Sequence, residues 1–259
     1  MSSCRLVMGL TVATLLFASS LTGAESKSKR FTGDRVELFA ALEADQVAVK
    51  LIPKNAEQAT VIVENKTKRP LSIKMPEAFV GMPVLAQDFG GGGNDRGGGG
   101  GGSNQSMGGG MGMMGGMGGM GMGGFFNVGP ERVGKIKVKT VCLEHGKEDP
   151  NPRVPYELKP ITAFTQNAEL IEVCRMLGNQ KIDQVSAQAA AWHLSDGLTW
   201  QQLAAKVKVR HLNGRQTMFF NALHLNKALA AVQEAKRRTQ DSEQDPEATS
   251  PGELSVSQR

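Results

Sequence analysis

The sequence predicts an α+β protein, with an antiparallel β-sandwich over residues 34–162, interrupted by a disordered Gly/Met-rich loop, and a small helical unit over residues 163–238. Three observations support this class. Short segments of alternating apolar and polar residues lie on both sides of the glycine-rich loop. Turn-forming residues separate these segments at intervals of roughly ten residues, which is typical of a sandwich. After Ala163 the apolar residues recur at helical spacing instead.

The first 24 residues have the features of a secretory signal peptide. Arg5 precedes a mostly apolar run at residues 6–17, and Thr22-Gly23-Ala24 supplies the small residues that signal peptidase requires. A membrane span needs about 20 apolar residues, so cleavage is favoured over the alternative of an uncleaved anchor. We therefore expect a secreted or periplasmic chain with no transmembrane span after cleavage.

The sandwich strands are indicated by a change of period. Val36, Phe39 and Ala40 have the spacing of a short helix or turn over residues 34–43. Apolar residues then alternate with polar ones within residues 46–52, 59–63 and 71–75, and proline or polar turn residues end each run. The first sheet is therefore predicted to hold these three short strands.

Residues 90–124 form the Gly/Met-rich segment, in which 21 of 35 residues are glycine. Glycine loses more conformational freedom on folding than any other residue, so the segment is predicted to be a disordered loop with no core side chain. On this view its deletion leaves the fold intact. Strands resume within residues 125–128 and 135–141, where three lysines alternate with apolar residues and would discourage edge-to-edge pairing.

Four helices are predicted in residues 163–238. The first helix has an apolar stripe of Leu170, Val173, Cys174 and Leu177, with Thr165 as its cap and Gly178 at its end. Asp183 is the predicted cap of the second helix, and Asn221 is that of the last. Thr199 and Gln202 form a capping box for the third helix. Residues 239–259 are polar and are predicted to be a disordered tail.

Three parts of the chain carry a family resemblance. Val61 to Pro76, read as Val-Ile-Val-Glu-Asn-Lys-Thr-Lys-Arg-Pro-Leu-Ser-Ile-Lys-Met-Pro, resembles an extracellular Ig-like domain. The stretches 141–156 and 188–192 resemble uncharacterised secreted proteins of planctomycete-like bacteria. The resemblance implies an Ig-like β-sandwich and an extracytoplasmic compartment, and it implies no activity.

The charge distribution bears on possible partners. The leader holds one arginine and no acid, and residues 239–259 hold five acids and one arginine, so the intervening chain carries a formal charge of about +8. We interpret this charge first as a solvated surface that keeps the protein soluble. An anionic envelope polymer or membrane surface, or an unknown protein, is the alternative partner, and nucleic acid is not expected after export.

The methionines of the glycine-rich segment suggest a metal site. Thioethers are soft ligands that select Cu(I) or Ag(I) over hard cations. Six of them are candidate copper ligands: Met111, Met113, Met114, Met117, Met120 and Met122. The alternative is a low-complexity spacer that binds no cofactor.

Two cysteines, Cys142 and Cys174, remain after the leader with Cys4 is removed. An even number in an oxidising compartment is consistent with a disulfide, and a buried free thiol at Cys174 is equally consistent with its position on an apolar helix face. A zinc site built from these cysteines with His145 and His193 is disfavoured because the second pair lacks zinc-ligand spacing.

No nucleophile elbow, metalloprotease helix or phosphate-binding loop is present in the sequence, so no catalytic residue is predicted. The sequence therefore favours a non-enzymatic exported protein that acts in binding, assembly or surface structure. Copper or silver binding through the methionine-rich segment is the alternative function.

Overall fold

The computed structural model of the protein describes residues 31–84, 104–112, 120–121 and 124–244. From Thr32 onward these residues belong to one compact unit. The strands are β1 (Asp34–Glu37), β2 (Val47–Asn55), β3 (Gln58–Asn65), β4 (Leu71–Lys74), β5 (Phe79–Pro83), β6 (Met107–Gly109), β7 (Met120–Gly121), β8 (Phe125–Val128), β9 (Val133–Cys142), β10 (Tyr156–Pro160), β11 (Val207–Arg210) and β12 (Gln216–Met218). The α-helices are α1 (Leu38–Glu43), α2 (Ala168–Gly178), α3 (Gln184–Asp196), α4 (Trp200–Ala204) and α5 (Ala222–Gln244). The predicted signal peptide, residues 1–24, lies outside the described residues.

Six antiparallel strands close into a barrel in the order β10-β2-β3-β9-β6-β5. Strands β2 and β3 form a hairpin whose register runs from Val47 opposite Asn65 to Asn55 opposite Gln58. Alternate residues of β3 are fully buried, among them Val61 and Val63. This period-two burial is what the alternating sequence predicts for a strand with one face toward a core.

A second sheet, ordered β1-β4-β8-β7, adds to the same core. Strand β1 runs parallel to β4, and β4 runs antiparallel to β8, with Ile73 opposite Phe126. Ile73 and Phe126 are buried in the cluster that also contains Val61 and Val63. The two sheets therefore share one apolar interior.

The α+β class is confirmed, but the two-sheet Ig-like sandwich differs from the arrangement that the structure shows. The main sheet is a closed barrel because β6, from within the glycine-rich segment, pairs with β5 on one side and with β9 on the other. Closure is completed by β10, which pairs with β5 and with β2. A sandwich was predicted because the Met-Gly-Gly strand has no alternating pattern and therefore gives no strand signal.

The predicted disordered loop at residues 90–124 is wrong for Asn104–Gly112, where every residue is buried. Met107 and Met111 belong to the barrel core. Glycine is required here because there is no room for a side chain. A Cβ on Gly108 would lie 2.8 Å from Cys174 Sγ, and one on Gly110 would lie 2.3 Å from the carbonyl oxygen of Glu77. The absence of side chains lets this part of the barrel wall lie directly against α2, so the glycines serve packing.

Polar contacts hold the start of this segment in place. Asn104 Nδ2 donates to the Asp149 carbonyl oxygen at 2.6 Å, and Gln105 Nε2 donates to Asp149 Oδ1 at 2.9 Å. The backbone N–H of Ser106 donates to Glu144 Oε2 at 2.8 Å. Three successive residues are thus bonded to the segment that follows β9.

The helices begin and end largely where the sequence predicts. Asp183 caps α3 by accepting from the backbone N–H of Ser186, and Gly197 ends α3 in the left-handed conformation. Thr199 and Gln202 form the expected capping box of α4. Helix α2 is capped by Asn167, two residues after the predicted Thr165.

Helices α2, α3 and α5 pack on one another and against the barrel, where they form a second core cluster with the end of β9. The Gln188 side chain joins α3 directly to strand β9 of the barrel. Its Oε1 accepts from the backbone N–H of Cys142, and its Nε2 donates to the Cys142 carbonyl oxygen, both at 2.8 Å. The buried amide therefore extends the hydrogen bonding of β9 onto α3.

Helix α5 continues to Gln244, so the predicted disordered tail at residues 239–259 is wrong for its first six residues, and residues 245–259 lie outside the description. Ion pairs along the helix support the extension: Arg237 contacts Glu234 and Asp241, and Arg238 reaches Glu172 on α2. Such pairs at i,i+3 and i,i+4 spacing stabilise a polar helix. Among the helices of the described ranges, none combines the length and apolar character needed to cross a membrane.

Candidate functional site

One face of the barrel, formed by β2, β3 and β9, is rich in lysine. Lys50 of β2 lies opposite Ile62 of β3, and Ile62 in turn lies opposite Lys135 of β9. Further along the same two strands, Lys137 lies opposite Thr60 and Lys139 lies opposite Gln58. All of these lysines alternate with buried residues and point to the outside of the barrel. We define the lysine face by five exposed residues: Lys50, Lys54, Lys135, Lys137 and Lys139.

The lysines of this face have no ion-pair partner among the described residues. Several lysines elsewhere on the surface are paired, among them Lys66 with Asp45, Lys74 with Glu37 and Lys159 with Glu157. The strands that carry the lysine face include a single acid, Glu64. The face is therefore a region of uncompensated positive charge.

This arrangement costs folding free energy. Lysines two residues apart on β9 are separated by about 7 Å, because a strand rises by about 3.3 Å per residue. Two positive charges at that distance in water repel by about 0.6 kcal/mol. An anionic partner that lies along the strand would remove the repulsion between each neighbouring pair.

The β11–β12 hairpin extends the positive charge at one end of the lysine face. It carries Lys208, Arg210 and Arg215 and contains no acid from Val207 to Met218. The hairpin lies near the β2–β3 turn, where Lys208 Nζ is 4.0 Å from Glu57 Oε1. Glu57 adjoins Gln58, the partner of Lys139, so the hairpin stands beside the Lys139 end of the face.

The copper-ligand prediction is wrong for Met111, which is 1 % exposed and packed in the barrel core. A thioether in that position contacts apolar side chains and is closed to an incoming ion. The side chains of Met113, Met114, Met117, Met120 and Met122 lie outside the described part of the structure. Copper or silver binding by these five residues stays a prediction.

Cys142 and Cys174 are both buried, and the structure holds both as free thiols. Burial raises the pKa of Cys174 to about 12. Burial, with smaller contributions from Asp149 and Glu57, also raises the pKa of Cys142. Because the thiolate is the nucleophile and the metal ligand, neither cysteine is prepared for catalysis or for metal binding.

The two histidines considered with the cysteines are engaged in separate structural contacts. The His145 ring meets Trp192 edge-on at 4.9 Å and lies 2.6 Å from Lys206 Nζ through its Nε2. His193 stacks on Trp200 and bonds the Leu198 carbonyl oxygen through Nδ1. Burial first, and then the Lys206 charge, lower the pKa of His145, and Asp196 acts in the opposite direction. Within the described ranges no group of three His, Cys, Asp or Glu side chains has the geometry of a metal site.

Sequence reasoning found only part of the lysine face. The three lysines of β9 are visible in its alternating pattern, but Lys50 and Lys54 are about 80 residues away in the sequence. A hairpin prediction for β2 and β3, carried through to pair β3 with β9, would have found them, because register fixes which residues share a face.

Comparison with family models, curated proteins and solved structures finds no match to this chain. The resemblance to Ig-like domains and to planctomycete-like secreted proteins therefore stays an expectation from sequence. Arguments about function rest on the geometry described above.

Proposed function

We propose that the protein is an exported, non-enzymatic binding protein that holds an anionic polysaccharide of the cell envelope on its lysine face. The observation that carries the proposal is the set of five exposed lysines on β2 and β9, the two strands that flank β3. None of these lysines has an ion-pair partner among the described residues. Export follows from the predicted signal peptide and is part of the proposal.

A linear polymer fits this face better than a membrane does. Three lysines lie in a row along β9 and span about 13 Å, a length suited to successive charges of an extended chain. Ile52 and Ile62, which lie between the lysines, are half-buried. The exposed apolar residue of this face among the described residues is a valine, Val133, which lies beyond Lys135 at the end of the row. A membrane-binding surface would present protruding apolar side chains for insertion between lipid headgroups.

A competing explanation is that the lysines only protect a strand edge and keep the protein soluble. Among the described residues the first part of β9 pairs with β3 alone, and β2 pairs with β10 only at Leu51, so edge protection accounts for Lys135 and Lys137 and applies to Lys50 as well. It does not require the lysines of β2 and β9 to share one face across β3, as they do. Binding to a polyanion accounts for both rows.

The test uses the chain from residue 25 onward and fluorescein-labelled polygalacturonate as the probe. Fluorescence polarisation is measured for the wild type and for the triple variant Lys135→Gln, Lys137→Gln, Lys139→Gln. Each exposed charge contact contributes about 0.5 kcal/mol, so the triple variant should bind roughly tenfold more weakly. Binding of the wild type should also weaken as salt is added, because exposed charges are screened.

A matched control is the triple variant Lys66→Gln, Lys74→Gln, Lys159→Gln, which makes the same change in net charge on lysines that already have acidic partners. It should bind nearly as well as the wild type. Equal losses in the two triple variants would mean that only net charge matters. Binding to phosphatidylglycerol vesicles without binding to polygalacturonate would also contradict the proposal.

A further inference from the structure

A cavity of about 360 Å³ lies between the barrel and the helical part of the molecule. Its walls come from the β2–β3 turn, the end of β9, helix α3 and the β11–β12 hairpin with the residues that follow it. The volume is in the range of pockets that enclose small organic molecules. The cavity is separate from the outward-facing side chains of the lysine face.

The walls combine aromatic rings with two carboxylates. Trp192 and Phe219 line the cavity with ring centroids 5.3 Å apart, and Glu57 and Asp149 line it from the barrel side. Asp149 accepts one hydrogen bond, from Gln105, through Oδ1. Both carboxylates raise the pKa of Cys142, a further wall residue, although burial contributes more. The cavity therefore places two carboxylates beside an aromatic surface.

The protein itself shows where an ammonium group is accommodated. Lys208 Nζ lies 5.3 Å from the centroid of the Phe219 ring and 4.0 Å from Glu57 Oε1. The position is favourable through cation–π and ion-pair attraction together. The contact is nevertheless loose, because 52 % of the Lys208 side chain is exposed and its ion pair is at the outer limit of distance. An ammonium from another molecule could take this place.

Trp192 supplies a second recognition group. Its side chain is 5 % exposed, and its indole Nε1 has no hydrogen-bond acceptor among the described residues. Because the indole N–H is closed even to a water molecule, Trp192 offers a ligand its ring and not its N–H.

We propose that this cavity binds a small primary amine with an apolar body. The ammonium replaces Lys208 between Phe219 and the carboxylates, and the apolar body lies against the Trp192 ring. This site is independent of polysaccharide binding on the lysine face.

The test uses phenylalaninamide as the probe, since it combines an ammonium with a phenyl ring. The fluorescence of Trp192 reports binding in a Trp200→Phe background, because Trp192 and Trp200 are the two tryptophans of the chain and Trp200 stacks on His193 instead of lining the cavity. We expect a saturable change in emission. 3-Phenylpropionamide, which lacks the ammonium, should bind at least about tenfold more weakly, the loss expected from one polar contact. Phenethylamine, which keeps the ammonium and the phenyl ring but lacks the carbonyl, should bind about as tightly as phenylalaninamide.

Two substitutions test the roles of the charges in opposite directions. Asp149→Asn keeps the oxygen that accepts from Gln105 but removes the charge, and it should weaken phenylalaninamide binding about tenfold. Lys208→Met removes the competing ammonium and should tighten binding several-fold. Lys159→Met, at an exposed paired lysine of β10 that does not line the cavity, is the control and should leave binding unchanged.

The proposal is overturned if 3-phenylpropionamide binds as tightly as phenylalaninamide, or if Lys208→Met weakens binding, since Lys208 would then be recognising an anion. Absence of a saturable signal with the wild-type cavity also overturns it. The comparison of the three probes needs no cavity variant, so it decides the matter even if a substituted protein fails to fold.

Discussion

Replacing Gly110 by alanine tests whether the glycine-rich segment is packed against the rest of the protein. A Cβ on Gly110 would lie 2.3 Å from the Glu77 carbonyl oxygen, 2.7 Å from the Cys174 carbonyl oxygen and 2.9 Å from Gly178 Cα. All three neighbours are backbone atoms, so no side-chain rotation relieves the overlap. Either α2 or the segment that leads into β5 must move.

The magnitude follows from these distances. Overpacking by one methyl group costs about 1–3 kcal/mol when neighbours can adjust, and the backbone contacts place this site at the upper end. In a protein of this size 1 kcal/mol shifts the melting temperature by about 2–4 °C, so Gly110→Ala should melt roughly 6–12 °C below the wild type.

The assay is a thermal melt followed by circular dichroism, with Gly129→Ala as the control. A Cβ on Gly129 would have its nearest neighbour, Arg132 Cγ, at 3.4 Å, which is an ordinary contact. That variant should melt within about 2 °C of the wild type, because its change in stability should stay within about 0.5 kcal/mol. If Gly110→Ala melts at the same temperature as the control, the segment is not packed on α2. The prediction from sequence that residues 90–124 can be deleted without loss of stability would then be supported.

Three further predictions concern single side chains. Cys142 and Cys174 should resist a thiol reagent in the native exported protein and react in denaturant with a stoichiometry of two, because burial keeps both protonated; a stoichiometry of zero in denaturant without reductant would reveal a disulfide. Asp183→Ala should cost about 1 kcal/mol at pH 7 by removing the cap of α3. Burial tends to raise the pKa of Asp183, but hydrogen bonds from Ser186 and Lys227 lower it overall. The stabilising effect of Asp183 should therefore be fully present above the pKa of an unfolded aspartate and be lost as the pH falls through the lower pKa of the folded state. Urea melts from pH 7 to pH 2 measure this, and the stabilities of variant and wild type should converge at low pH. Absence of convergence would contradict the prediction. Met111→Leu should not change Cu(I) binding measured against a competing chelator, since Met111 lies in the core; a reduced stoichiometry in that variant would show that Met111 leaves the core to bind the ion.

Local signals in the sequence were sufficient for the helix termini. The cap at Asp183 and the capping box at Thr199 depend on residues three positions apart, so they are visible in a short window. The same holds for the strands β2 and β3, whose burial alternates as their sequence does.

Signals that depend on distant partners were missed. Strand β6 contains Met107 and two glycines, and its partners Phe79 and Cys142 are about 30 residues away on either side. The cavity beside Trp192 draws its walls from residues between Ala56 and His224. Neither feature leaves a pattern in any single window, because each is created when the barrel closes and the helices pack on it.

The polar contacts of Asn104, Gln105 and Ser106 gain importance from the repetition in the sequence that follows them. The triplet Met-Gly-Gly occurs at residues 107–109 and again at 114–116, 117–119 and 122–124, so several segments of the chain have the composition of the barrel's closing strand. Glycine-rich strands specify their register weakly. The hydrogen bonds to Asp149 and Glu144 are available only to the triplet that follows Asn-Gln-Ser, and they therefore select one of four near-identical candidates. The small glycine residues of β6 allow it to fit against α2. The three polar residues before β6 determine which of the four triplets closes the barrel.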